Sequence, residues 1–412
     1  MRSSSSFFFT LVTLCAVHLP ADLSAREVRV PYASVSSYTI KNNPALAAAR
    51  LRIEEAKGRL IGAGRRANPE LGLEFKRDNH FREGTFGVSF DQKFPVTARL
   101  LLEKVVAQKD VTAAELEVHE AERKMIAEVK PLAVKLLSLD QQRDLRQKQA
   151  DLAMKLSEFA AGRAKAGEIS ALDAAQAQVD AQRILLEGRQ LETERITLLG
   201  QLKPMLGVRD TDSLAITGVL PAMTSSPSKG NWESRPDYQL SKVQEDAARS
   251  QIDLARSKKW EDWTVGALFE HERAEDAPEG LDKTPFFGVR VSIPLPFWNK
   301  NEGEVVEKTA AASRAALETK ALAFLIRNEV AAARSEMSAY ANLASDTKDK
   351  LLPLVLEQTD KLEKAYQSGQ TDLLTVLRAR EQRLQLEAAV LNATRDYHLA
   401  RIRYEAATNN GR

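Results

Sequence analysis

The chain has 412 residues, with 59 Lys+Arg against 57 Asp+Glu and a formal net charge of +2. That length admits two or three domains, and the balanced charge argues against a nucleic-acid partner, which calls for a basic excess or stripe. No apolar run reaches the ~18 residues of a membrane-spanning helix, and the single cysteine, Cys15, excludes a disulfide framework or a cysteine-built zinc site.

Met1-Arg2 opens a short positive region, followed by the apolar stretch Phe7–Val17 and then HLPADLSA, which ends in small residues. This is the pattern of a secretory signal peptide over 1–25, with cleavage expected after Ala25, or alternatively after Ala21. Leu14 stands before Cys15 where lipidation requires a small residue, so lipid attachment there is disfavoured. The expectation is an exported bacterial protein whose mature chain carries no cysteine.

Aromatics are only 6% of the chain, and alanine, leucine, glutamate, glutamine and arginine dominate, as in long helices and coiled coils. Two copies of one plan follow the leader. Asn43-Pro44-Ala45-Leu46 opens an alanine-rich helix, and Arg235-Pro236-Asp237-Tyr238 opens another 192 residues later. Gly87-Val88-Ser89-Phe90 matches Gly288-Val289-Arg290-Val291, and Ala166-Gly167 with Leu172 matches Ser368-Gly369 with Leu374. The expected division is repeat one over 26–206, an irregular connector over 207–234 rich in Thr, Ser, Gly and Pro, and repeat two over 235–412.

Within repeat one a helix is expected over Pro44–Arg66. Period-2 alternation marks strands over Leu71–Arg77 and Thr85–Phe94, joined by the turn Asp78-Asn79-His80. From about Val96 to Arg163 the residues Val111, Ala114, Val118, Ala121, Met125, Val129, Leu132, Leu136 and Leu139 recur at threes and fours. They form a coiled-coil-like seam on a helix on the order of 100 Å long. Pro131 is expected to kink that helix into two stacked pieces. Repeat two offers strands over Thr264–Glu270 and Thr284–Leu295, separated by a polar loop His271–Lys283. A helix from about Gly303 to Tyr366 contains Pro353, and a final helix carries the stripe Leu386, Val390, Ala393, Tyr397, Ala400 and Tyr404.

Four strands cannot close into a barrel, which needs about eight. Their lengths approach the ~9–11 residues that cross a bilayer at a tilt. Phe94, Trp260, Trp263, Phe297 and Trp298 stand where an interfacial belt would lie. Either several chains pool strands, three of them giving twelve, or these are two soluble hairpins on a helical stalk. The fold class expected is mainly α with a small β part, a tandem repeat.

The sequence resembles the TolC-type outer-membrane efflux proteins. The resemblance rests on Asn43–Arg50, Asn68-Pro69-Glu70-Leu71, Arg235–Tyr238, the passage Gly288–Gly303, and the turns Ala166–Asp173 and Tyr366–Gly369. It covers essentially the whole mature chain. It implies a homotrimer with a twelve-stranded outer-membrane β-barrel in lipid and a long periplasmic α-barrel. It also implies a periplasmic adaptor and an inner-membrane efflux pump as partners. The proline-flanked Ile293–Gly303 passage is similar to members serving heavy-metal pumps; drugs or secreted proteins are the alternative cargo, and a pore-free periplasmic scaffold the rival class. By the same resemblance, Gly167, Leu172, Gly369 and Leu374 are tip turns and adaptor contacts, and Arg163, Asp173, Tyr366, Asp372, Thr375 and Arg378 are candidates for the aperture or gate. Thr371 and Thr375 depart from the family's closing lock. Ser170-Ala171-Leu172-Asp173 also reads as a capping box, giving Asp173 a structural job. His80 and His271 fall in the hairpin loops, where they could meet at the outer mouth, and His119 and His398 on helix surfaces. No metal site, cofactor or catalytic constellation is expected.

Overall fold

The computed structural model describes residues 26–80, 82–223, 230–276 and 280–410. The expected signal peptide lies outside the described residues. The first elements are β1 (Glu27–Pro31), α1 (Val35–Asn42), α2 (Pro44–Gly62), β2 (Glu70–Arg77), β3 (Gly84–Phe94), α3 (Arg99–Lys165) and α4 (Ala171–Met205). They are followed by β4 (Ser213–Thr217), α5 (Pro236–Ser257), β5 (Trp263–Asp276), β6 (Gly280–Ser292), α6 (Glu302–Ser345), α7 (Leu352–Gln367) and α8 (Leu373–Ala407). Helix, hairpin, long helix, turn, helix therefore occurs twice in order. Among the described residues no helix is long and apolar enough to cross a membrane.

The two repeat openings do the same job with different chemistry. Asn43 caps α2 by accepting from the Leu46 N–H at 3.0 Å, with Pro44 pre-set at the first helical position. Its amide also donates to the Met205 carbonyl at 2.7 Å, closing the C-terminal end of α4. At the opening of α5 the buried Arg235 guanidinium donates to the Ala407 carbonyl at 3.4 Å, at the end of α8. It is neutralised by Asp237 at 2.7 Å and Glu329 at 2.8 Å. Each repeat is thus tied shut from its first residues to its last helix.

The long helices have narrow apolar stripes. On α3, Val111, Ala114, Val118, Val129, Leu136 and Leu139 are buried, and Ala121, Met125 and Leu132 are half-buried, so the expected seam is the packed one. Pro131 does not divide α3, which runs unbroken for 67 residues, about 100 Å. Val129, Ala133, Leu136 and Leu137 flank the proline in the largest apolar cluster, with Leu202 and Leu206. That packing holds the helix axis where a carbonyl has lost its partner. The break falls in repeat two instead, where a π-helical turn over Asp346–Leu351 separates α6 from α7 immediately before Pro353. A widened turn accommodates a residue with no N–H and a ring that crowds the preceding carbonyl.

Three further expectations are corrected. The connector is not wholly irregular: β4 pairs in parallel with β1, Val30 opposite Ile216, and both pack on the main cluster. The chain therefore has six strands among the described residues, in a two-stranded and a four-stranded sheet. The region 271–283 is not mainly loop, because β5 runs to Asp276 and β6 begins at Gly280. His271 is a strand residue opposite Phe86 and Pro285, whereas His80 lies in the first turn. The two do not share a loop position.

His398 is buried, not on a helix surface. It packs edge-on to Tyr397 at 5.2 Å between ring centres. Burial, reinforced by the Arg401 charge, pulls its pKa down to about 4 from 6.5. The folded state therefore holds a neutral ring, and the unfolded state binds a proton near its ordinary value. Stability should be intact above pH 6.5 and fall by about 3 kcal/mol as the pH drops toward 4. Thermal unfolding of His398→Phe across this window should lack that share of the slope, and an unchanged slope would refute the assignment. Arg235→Ala should cost about 3 kcal/mol, since it removes the nearer cation from Asp237, leaving Arg123 at 3.9 Å, and the donor from a helix-end carbonyl; chemical denaturation would measure the loss.

Candidate functional site

Two regions can do the chemistry of passage: the helix turns at one end and the four-stranded sheet at the other. The turns are twin structures. Gly167 and Gly369 have φ of +75° and +76°. At each turn the next N–H reaches back over the helix end, Glu168 to the Arg163 carbonyl at 2.9 Å and Gln370 to the Ala365 carbonyl at 2.8 Å. This is the Schellman pattern, which only a residue without a Cβ adopts cheaply. The two hairpins then pack together through Leu156, Ala160, Ala177, Tyr366, Leu373 and Val376.

Sequence expectations divide here. Arg163 and Tyr366 are brought together: the guanidinium lies 5.5 Å from the Tyr366 ring centre and 5.9 Å from that of Phe159, and pairs with Glu168 at 2.8 Å. Asp372 caps α8, accepting from the Thr375 N–H at 2.7 Å, and this bond holds its carboxyl below the ordinary range. Asp372 occupies the turn position that Ser170 holds in repeat one. The expected capping box is open. Ser170 Oγ accepts from the Leu172 N–H, and among the described residues Asp173 makes no side-chain bond back to Ser170. Asp173, Arg378, Leu172 and Leu374 are exposed, and Thr375 is half-buried.

The sheet has the order β2-β3-β5-β6, antiparallel throughout. Residues opposite one another share a face. One face carries the rows Leu71–Phe90–Ala267–Val289, Leu73–Val88–Phe269–Phe287 and Phe75–Phe86–His271–Pro285. Phe287 and Val289 are 82% and 78% exposed, far more than a water-soluble surface tolerates in a contiguous patch. The other face carries Glu70, Glu74, Lys76, Asp91, Lys93, Glu270, Glu272, Asp282 and Arg290. Its cations are spoken for: Lys93 pairs with Glu70 at 2.9 Å, Lys76 with Glu74 at 2.5 Å, and Arg290 with Asp91 at 2.7 Å. Glu270, Glu272 and Asp282 have no cationic partner among the described residues.

The aromatic residues expected to form a belt gather at the helix-side end of this sheet. Phe94 and Trp263 are register partners, and Phe297 meets Trp298 edge-on at 6.1 Å. Trp260 and Trp298 line a cleft of about 720 Å³ with Lys93, Arg99, Lys258 and Asn301. Sequence reasoning did not find the acidic face, although strand alternation held the signal: once the apolar parity is known, the remaining positions name the wet face. Among the described residues no group of three or more His, Cys, Asp or Glu side chains is arranged to hold a metal.

Polar helices ending in paired turns, joined to a sheet with one apolar and one charged face, define a subunit of a membrane duct. A family profile for the outer membrane efflux protein matches residues 35–208 and 232–410, and the chain belongs to that family. It is thus an outer-membrane efflux channel protein. It is similar to the cobalt-zinc-cadmium resistance protein CzcC of Cupriavidus metallidurans, 22% identical over 234 residues. That alignment takes in 56% of this chain and 54% of CzcC, about half of each. Among solved structures, CusC superposes with a TM-score of 0.75 at 14% identity, covering 95% of both chains. VceC of Vibrio cholerae superposes at 0.71 with 18% identity, covering 92% of this chain and 95% of that one. At such identities the likeness establishes the fold.

The tip turns give a direct test. A Cβ at Gly167 or Gly369 would meet no atom within 4 Å, so the only penalty is the backbone conformation. Gly167→Ala and Gly369→Ala should each cost about 1 kcal/mol, read as a lowered thermal midpoint with unchanged folded structure.

Proposed function

We propose that the chain is one third of a homotrimeric, passive exit duct for metal cations. An inner-membrane pump supplies the energy and a periplasmic adaptor the connection. The observation that carries this reading is the unbalanced acidic face of the sheet. When that face lines a pore, Glu270, Glu272 and Asp282 from each chain set a negative potential, which favours cations and rejects anions. The likeness to CzcC, whose name records cobalt, zinc and cadmium resistance, supports the same cargo.

Trimerisation follows from the sheet's edges. β2 and β6 are the edge strands, and in hydrocarbon each must find a partner for its backbone groups. Three copies supply twelve strands and close the ring. The α3–α4 and α7–α8 turns form the periplasmic aperture in this reading. Exposed Leu172 and Leu374 offer the adaptor its apolar contacts, and exposed Asp173 sets the charge at the mouth. The Arg163–Tyr366 contact holds the two hairpins together at the closed end.

Reversal potentials in planar bilayers test the cation preference. The wild-type channel should favour K⁺ over Cl⁻, and Glu270→Gln with Glu272→Gln should reduce that preference several-fold without loss of conductance. Equal permeability in the wild type would end the reading. Deleting the gene should lower tolerance to cobalt, zinc or cadmium, and a change confined to drug sensitivity would transfer the duct to another cargo.

A further inference from the structure

Arg26, the residue before β1, is held on both sides of its Cα. Its carbonyl accepts from the Ser213 N–H at 3.0 Å, and its own nitrogen donates to Asp212 Oδ1 at 3.1 Å. From there β1 and β4 pair in parallel, Glu27 opposite Ser213 through Pro31 opposite Thr217. Val30, Leu214 and Ile216 sink into the main apolar cluster, so this short sheet is fastened to the body of repeat one.

Asp212 is only 6% exposed, and a carboxylate so enclosed needs cations or N–H donors. Arg209 donates to it at 3.0 and 3.3 Å, but that side chain is 63% exposed, so water screens much of its charge. The other donor among the described residues is the Arg26 nitrogen. These hydrogen bonds, Arg209 first and then the Arg26 N–H, hold the carboxyl below its ordinary range. While residue 25 is attached, that nitrogen is a neutral amide. Hydrolysis of the Ala25–Arg26 bond changes it. Water adds across the peptide: its oxygen goes to the Ala25 carbonyl carbon, which departs as a carboxylate, and the nitrogen takes up protons to become an α-ammonium. The atom that lies 3.1 Å from Asp212 Oδ1 then carries a full positive charge.

We propose that a signal peptidase cuts the chain after Ala25 and that Asp212 binds the α-ammonium so created. A charge-assisted hydrogen bond replaces a neutral one and is roughly twice as strong. Cleavage after Ala21 would instead leave Asp22-Leu23-Ser24-Ala25 ahead of Arg26. The nitrogen would stay an amide, and Asp212 would gain no charge from the backbone. The ammonium also pins the register of the two strands, since sliding β1 by one residue would withdraw it from the carboxylate. Removal of the leader thus completes the β1–β4 sheet, delivering the charge as the exported chain folds. The inference rests on export to the outer membrane and is independent of the cargo and of the number of subunits.

Intact mass and N-terminal sequencing test the cut, on protein expressed with its own leader and purified in detergent from outer membranes. The first residue should be Arg26, and a chain beginning at Asp22 or at any other residue would overturn the proposal. The pairing is read separately, from the pH dependence of α-amine labelling by acetic anhydride. A free α-amine titrates at about 8, and a carboxylate beside it should raise the midpoint by about one unit or more. Asp212→Asn keeps the size and an acceptor oxygen but removes the charge, and should return the midpoint to about 8. A wild-type midpoint near that ordinary value, or a raised one that survives in Asp212→Asn, would refute the pairing. If Asp212→Asn does not assemble, the wild type decides alone: a midpoint raised in the folded protein and not in urea supports the pairing, and equal midpoints reject it.

Discussion

A strand in lipid cannot leave its backbone groups unpaired, and this chain supplies a sheet with two open edges. Each unsatisfied N–H or carbonyl in hydrocarbon costs several kcal/mol, and β2 and β6 expose whole rows of them. The apolar face of the sheet makes the bilayer its natural environment, and the open edges make solitary insertion prohibitive. Association is therefore a condition of insertion in the trimer proposed here. The remaining architecture answers the consequences of that condition. Helices of about 100 Å carry polar walls through the periplasm, and narrow apolar stripes on them leave most of each surface for water.

Duplication gives the fold its economy of means, because one structural solution is used twice with different side chains. Asn43 and Arg235 both reach from a repeat's opening to the end of its last helix. Ser170 and Asp372 both cap the helix that follows a tip glycine. The substitutions are not neutral. Arg235 brings a buried charge that Asp237 and Glu329 must balance, and Asp372 puts a carboxylate where Ser170 puts a neutral hydroxyl. Divergence between the copies therefore alters electrostatics while the geometry is kept.

Much of this was legible in the sequence, and the gaps have physical causes. Strand alternation at Phe86, Val88 and Phe90, the seam on α3 and the tip glycines all follow from local periodicity or a required φ. The β1–β4 pair was not legible, since five-residue strands far apart in sequence leave no periodic trace. The outer part of β5 was misread as loop because His271–Asp276 passes out of the apolar band and carries charge on both faces. Pro131 and Pro353 have the same chemistry and opposite outcomes, decided by packing that no local rule contains. Burial of His398 was hidden for the same reason: it stands beside the Tyr397–Ala400–Tyr404 stripe of α8, and only packing from other elements widens the buried face to include it.

The acidic and basic rows of the sheet expose the limit of reading charge by its total. The chain's net charge is only +2, yet the sheet sorts charge across its thickness and along its height. Carboxylates with no cationic partner among the described residues stand on the wet face, and cations stand on the apolar side beyond its last apolar row. A one-residue slip of β5 would exchange its two faces and place Glu270 in hydrocarbon. Register is therefore enforced by the solvent on each side, and the same enforcement fixes which charges a passing ion meets and which ones a lipid meets.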